Sequence, residues 1–194
     1  MIRKALLMSA VLLCACSGAP AQDNPPPTPD GEDALNVAAD TPQDWVEISA
    51  VVIGSDGSEI GVVSGTDGPH GFLLEVTIEP GGLTPGWHGL HLHQIGNCSD
   101  VGTFKLSGGH MGLIPDGHGL LNPIGPEAGD LTNIWAGSDG AAGYEVFSTW
   151  VKPDRLFDAD GTALVIHAER DDHITQPIGG AGARVACAVI EKVS

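Results

Sequence analysis

The sequence encodes an all-β domain, an antiparallel sandwich or barrel of eight strands, and three observations predict it. Short apolar or alternating runs recur at 46–53, 60–63, 72–78, 90–95, 131–135, 144–151, 163–167 and 184–189. Clusters that favour turns separate them: Ser55-Asp56-Gly57, Thr66-Asp67-Gly68-Pro69, Ser138-Asp139-Gly140 and Asp158-Ala159-Asp160-Gly161. No long stretch repeats with the 3.6-residue period of a helix. Many short strands joined by such turns pack as two sheets or close into a barrel.

The strands belong to residues 45–194, the usual size of one domain with a sizeable core. What precedes them reads differently. Residues 1–21 are a signal segment: Arg3 and Lys4 precede an apolar run from Ala5 to Leu13 that is too short to span a bilayer. Leu13-Cys14-Ala15-Cys16 resembles a lipobox, which implies acylation of Cys16 and a membrane tether; the rival is ordinary cleavage after Ala19-Pro20-Ala21. From 17 to 44 there are six prolines, six acidic residues and no basic one. Such a stretch buries too little apolar surface to offset its ordering entropy, so 22–44 reads as a linker. The expected location is therefore outside the cytoplasm, in the periplasm.

Within the domain, the strand from Leu90 carries His91 and His93, two apart and hence on one face, where they can grip one metal ion. His88 has the opposite parity. Two connections, 96–130 and 168–183, are long, rich in Gly, His and Asp, and of a length that usually marks function. They bring His110, His118 and Asp130 in the first, and His167 just before the second. Imidazole and carboxylate suit zinc and copper, so these residues with His91 and His93 compose one or two candidate metal sites. Chance clustering of histidine beside Gly and Asp is the alternative that spacing alone leaves open. With Cys14 and Cys16 in the signal segment, Cys98 and Cys187 remain as a disulfide pair in an oxidising compartment. The alternative is two buried free thiols.

Six segments together resemble the exported bacterial form of the copper,zinc superoxide dismutase family. They are His88-Gly89-Leu90-His91-Leu92-His93 with Gly96 and Cys98; Gly108-Gly109-His110; His118-Gly119; Gly129-Asp130-Leu131 with Asn133; Val165-Ile166-His167-Ala168 with Asp171-Asp172; and Gly182-Ala183-Arg184-Val185-Ala186-Cys187. The resemblance covers residues 46–190. It implies a Greek-key β-barrel and the dismutation of superoxide to oxygen and hydrogen peroxide. Carried over by position, His91, His93, His110 and His167 would hold copper, and His110 would bridge to zinc held also by His118 and Asp130. Asp171 would orient one histidine of each metal, and Arg184 would guide the anion. His110 would also deliver a proton. His88 resembles a histidine that braces the barrel end; His70 and His173 match nothing and read as surface residues.

Two departures from the family pattern stand out. Where the family has its third non-bridging zinc ligand, a histidine three residues before the aspartate, this chain has Glu127. Either its oxygen binds zinc, making a site of two histidines and two carboxylates, or it faces solvent and zinc is weak or absent; the kept spacing favours ligation. After His110, Met111-Gly112-Leu113-Ile114-Pro115 differs from the family's usual run, so the loop should take another path there.

Charge bounds the partners. From position 45 on, 19 acidic and 6 basic residues leave an excess of 13 negative charges. This excludes nucleic acid as a partner and denies an anionic substrate whole-protein attraction. Steering must be local, from the copper, Arg184 and Arg170. The alternatives are a copper-buffering module without catalysis and a copper-only dismutase with an empty zinc site. A homodimer is a further expectation, with Trp87, Trp135 and Trp150 read as core or subunit contacts.

Overall fold

The computed structural model describes residues 45–193. The signal segment, Cys16 and the linker lie outside the described residues. Among the described residues, ten strands form one antiparallel sheet: β1 (Glu47–Gly54), β2 (Glu59–Gly68), β3 (Gly71–Ile78), β4 (Gly86–His88), β5 (Leu90–His93), β6 (Ile134–Ala136), β7 (Ala142–Ser148), β8 (Ala163–His167), β9 (Arg184–Val189) and β10 (Glu191–Lys192). Their order is β4-β6-β7-β3-β2-β1-β9-β8-β5, with β10 beside β1. The two ends of that order, β4 and β5, are one stretch of chain interrupted at Gly89, so the sheet curls round into a nearly closed barrel. β10 likewise follows β9 after one residue and pairs with the same neighbour, β1. Counted as continuous stretches, the ten segments are the eight expected strands.

Alternation decides which face is the core. In β3, Phe72, Leu74, Val76 and Ile78 point inward and are buried, while Leu73, Glu75 and Thr77 point out. Each fully buried side chain of this size is worth about 1.5–3 kcal/mol over its exposed state. β5 breaks the rule, since all four of its residues are buried. Leu90 and Leu92 join the barrel core, whereas His91 and His93, on the outer face, are covered by the two long loops.

Two runs end earlier than their sequence suggests. The 144–151 run leaves the sheet at Ser148, whose Oγ accepts the N–H of Trp150 and of Val151, both at 3.3 Å. That turn feeds a single helical turn, α1 (Pro153–Leu156), with proline in the first turn, where a missing N–H costs nothing. The 131–135 run pairs only from Ile134, because Asn133 is engaged by the second loop. Trp87, Trp135 and Trp150 are each about half exposed and so are not core. No helix among the described residues is long and apolar enough to cross a membrane.

Cys98 and Cys187 are joined, with Cα atoms 5.9 Å apart and a sequence separation of 89. Cys187 belongs to a small outer cluster with Ala163 and Val165, capped by Phe104 from the first loop. Phe104 is fully buried at φ 49°, a conformation a bulky residue adopts only where its surroundings hold it. Replacing both cysteines by serine should therefore lower stability by about 2–5 kcal/mol. Equilibrium denaturation checks this, and an unchanged midpoint would contradict it.

Candidate metal centre

β5 has two edges, and both build the site. On one it pairs with β8, His91 opposite Val165 and His93 opposite Ala163. On the other the first long loop returns twice, placing His110 opposite His93 and Asp130 opposite His91. The second edge is secured by Met111 N–H to Leu92 O (2.8 Å), Leu92 N–H to Gly129 O (2.9 Å) and Gln94 N–H to Gly109 O (2.9 Å). A Cβ on Gly129 would strike Leu92 O and crowd Met111 N, so glycine alone permits this approach. On its other edge β8 pairs with β9, where Val185 is an extra residue between the Ile166–Ala186 and His167–Arg184 pairs, and this sets His167 opposite Arg184.

Four imidazoles converge: His91, His93, His110 and His167, all buried, each offering a ligand atom within 4.8 Å of the others. One nitrogen of each ring already has a partner. His91 Nε2 donates to Asp171 Oδ2 (2.7 Å), His93 Nδ1 to Gly108 O (2.9 Å) and His167 Nδ1 to Gly182 O (3.2 Å). His110 Nδ1 faces Glu127 and Asp130. The remaining four, His91 Nδ1 and Nε2 of His93, His110 and His167, are buried without a hydrogen-bond partner. Among the described residues one more buried side-chain nitrogen shares that state, His173 Nδ1, which lies 3.6 Å from Asp171 Oδ2. Unpaired buried nitrogens are costly, and four converging lone pairs are what a cation satisfies. Burial, with the neighbouring charges, pushes His91 down to about 4, His93 to about 2 and His167 to about 3, so these rings stay neutral and free to ligate. The residues present fit a copper ion.

A second group shares His110 with the first: His110, His118, Glu127 and Asp130, again buried and within 4.8 Å. His110 Nδ1 lies 2.9 Å from Glu127 Oε2 and 3.1 Å from Asp130 Oδ1; His118 Nδ1 lies 2.8 Å from Asp130 Oδ1. Glu127 is 2% exposed, so the solvent-facing alternative is excluded. Here carboxylates set the electrostatics. Against the cost of burial, hydrogen bonds to Asp130 and Asp171 push His118 up to about 9, and those to Asp130 and Glu127 raise His110. Asp130 is likewise held well below the ordinary carboxylate range, burial notwithstanding, by His110 and His118. Two anions against two imidazoles form a cradle for a small divalent cation, and the residues fit zinc.

Asp171 links the groups, with Oδ2 on His91 and Oδ1 3.3 Å from His118 Nε2. Its own backbone is gripped by Asn133, whose Oδ1 accepts its N–H (2.8 Å) and whose Nδ2 donates to its carbonyl (2.9 Å). In return Gln176 of the second loop grips His118 of the first, accepting its N–H and donating to its carbonyl. Gly179, at φ 62°, passes so close that a Cβ there would collide with Asp171 Oδ1. His173 corrects a sequence reading. It is not a surface residue, since its N–H donates to Asp171 Oδ1 (2.6 Å) and its ring Nε2 meets Asn133. His70 is exposed as expected, and His88 braces the barrel end, its ring nitrogens 2.7 Å from His167 O and 2.8 Å from Thr84 O.

Arg184 donates to Phe104 O (2.7 Å), Ser107 Oγ (3.0 Å) and Gly108 O (2.8 Å). All three acceptors are neutral and among the described residues no carboxylate forms an ion pair with it, although Asp100 acts on its charge from a distance, so the guanidinium can still bind an anion. That charge helps to depress His93 and His167, which places it beside the first group. Ser107, fully buried and also 3.3 Å from His93 Nδ1, was not singled out from the sequence; nor was Gln176. A lone serine and a loop glutamine carry no spacing signal, and their roles exist only across the fold.

The model of the family described as copper/zinc superoxide dismutase (SODC) matches residues 60–190. A relative from Caulobacter vibrioides, "Superoxide dismutase [Cu-Zn]", is 49% identical over 150 residues, 74% of this chain and 84% of its own length. Among solved structures, a SOD-like protein from Bacillus subtilis aligns with TM-score 0.65 and 27% identity, over 73% of this chain and 96% of its own. The Cu/Zn superoxide dismutase from Brucella abortus aligns with TM-score 0.61 and 30% identity, over 75% and 99%. With the barrel, the two histidine groups and these likenesses together, the chain belongs to the copper/zinc superoxide dismutase family.

Proposed function

We propose that this chain performs superoxide dismutation with His91, His93, His110 and His167 as copper ligands and His110, His118, Glu127 and Asp130 as zinc ligands. The observation that carries the reading is the convergence of four unpartnered imidazole nitrogens beside a guanidinium held by neutral acceptors. The reaction takes two superoxide anions and two protons to one oxygen and one hydrogen peroxide. When bound, copper would supply reversible one-electron chemistry and zinc a fixed positive charge, His110 belonging to both groups.

The chain's own residues do the rest. Arg184, opposite His167 and held by three oxygens of the first loop, binds the incoming anion by charge and hydrogen bonds. His110 presents Nε2 to the first group while Nδ1 is fixed toward the carboxylates, so a proton carried at Nε2 is delivered on the substrate side. Asp171 fixes the His91 tautomer by accepting its Nε2–H, which leaves Nδ1 as the ligand atom. Burial of all four rings keeps bulk water from competing. A copper-buffering module would need no guanidinium held beside the cluster, and a copper-only enzyme would not need Glu127 buried against His110.

The setting is proposed from the sequence: export to the periplasm, supported by the leader pattern and the disulfide, with a lipid on Cys16 as the membrane tether. A homodimer has as its support the exposed pair Trp87 and Trp135, directly cross-strand and edge-to-face at 5.1 Å.

Metal analysis together with superoxide consumption tests the assignment, with copper and zinc each bound at one per chain in active protein. Arg184→Ala should keep both metals and lose about tenfold to a hundredfold in kcat/KM, the weight of one charge-assisted contact; full activity would remove Arg184 from the scheme. Raising ionic strength should slow the enzyme only shallowly. The 168–183 loop holds one arginine and no lysine, and that Arg170 lies over the Trp87 ring at 5.6 Å. Cys16→Ala should move the protein from the membrane fraction to the soluble one; unchanged fractionation would sink the lipid anchor.

A further inference from the structure

The two departures from the family pattern, Glu127 and the Met111–Pro115 run, meet at one atom. Glu127 Oε2 faces His110 Nδ1, while Oε1 turns away and accepts the backbone N–H of Ile114 at 3.0 Å. Ile114 opens a tight turn, closed by Gly117 N–H to Ile114 O at 2.8 Å, with Pro115 second and Asp116 third at φ 57°. The turn delivers its next residue, His118, into the same group. Asn122 supports it by donating to the carbonyls of Asp116 (2.7 Å) and His118 (2.9 Å). From the other side, Glu127 N–H donates to Asp130 Oδ2 at 3.0 Å, so Glu127 touches the neighbourhood of every other member of the group.

We infer that Glu127 is a positioning residue as well as a ligand: its second oxygen anchors the Ile114–Gly117 turn and thereby places His118, so zinc-side occupancy and the order of this turn are coupled. The inference rests on the ligand reading given above. A carboxylate suits both tasks because it has two acceptor oxygens. An imidazole does not. With one nitrogen on a metal, its other nitrogen carries N–H and would face the Ile114 N–H, donor against donor. The altered loop after His110 is then the counterpart of the altered ligand, since it brings a backbone donor to where the spare oxygen lies.

The test uses the full domain and reads two quantities, zinc retained against a chelator and hydrogen exchange of the Ile114 amide. In the unmodified protein, zinc loading should slow Ile114 exchange about tenfold or more, the weight of a hydrogen bond to a charged acceptor. Equal rates with and without zinc would overturn the coupling, whatever the variants do. Glu127→His should keep one zinc per chain but expose the Ile114 amide, raising its exchange in the zinc-loaded form about tenfold. Glu127→Gln should lose zinc, and its Ile114 amide should then exchange as fast as in the zinc-free unmodified protein. Protection of Ile114 in zinc-loaded Glu127→His would overturn the anchor and leave the ligand reading intact. Undiminished zinc retention by Glu127→Gln would overturn the ligand reading itself, and the coupling with it.

Discussion

The site depends on the second edge of β5. A strand that ends a sheet exposes backbone donors and acceptors that must be met, and here they are met by the first long loop rather than by another strand. Two short returns of that loop satisfy the edge, and the residues that do so stand opposite His91 and His93. Backbone hydrogen bonding, which carries no information about metals, thus fixes the spacing of the metal-binding side chains. The near closure of the barrel follows from the same stretch, whose first half pairs with β6 and whose second half pairs with β8.

The two groups share a ring yet differ in electrostatic character. The first is built from imidazoles whose outer nitrogens donate to fixed oxygens, leaving neutral lone pairs in a dry setting near one cation, Arg184. The second carries two buried carboxylates that pull charge onto His110 and His118. His110 and Asp171 join them, one through its two nitrogens and the other through its two oxygens. Neighbouring pockets of opposite character in one small volume favour ions of different chemistry, a softer redox-active one among nitrogens and a harder one among oxygens. The positive charge available to an anionic substrate is correspondingly local, set against a domain with a large negative excess.

The two long loops hold each other by a reciprocal grip. Asn133, between the first loop and β6, binds the N–H and C=O of Asp171, and Gln176 of the second loop binds those of His118, so each side fixes a functional residue of the other. The disulfide adds a covalent tie from the start of the first loop to β9, and Phe104, seated under it, passes that constraint to Arg184 through its carbonyl. Rigid placement of side chains borne on loops needs such cross-ties, because the loops have little sheet of their own.

Much of this was legible in the residues alone. Period-two alternation and turn chemistry are local, so the strands and their count could be read directly, as could the His91 and His93 pair, since parity along a strand follows from backbone geometry. The long-range groupings of His110, His118, Asp130 and His167 came from resemblance, not from spacing. The sequence by itself determined the fold class, the cysteine pair and a supply of metal-binding side chains. Only the tertiary structure decided that Glu127 turns inward, that His173 is tied to Asp171 and Asn133, that Ser107 and Gln176 matter, and that the 144–151 run stops at Ser148. Each of those depends on which backbone atoms lie opposite one another across the barrel, a relation between residues far apart in the chain that no local pattern encodes.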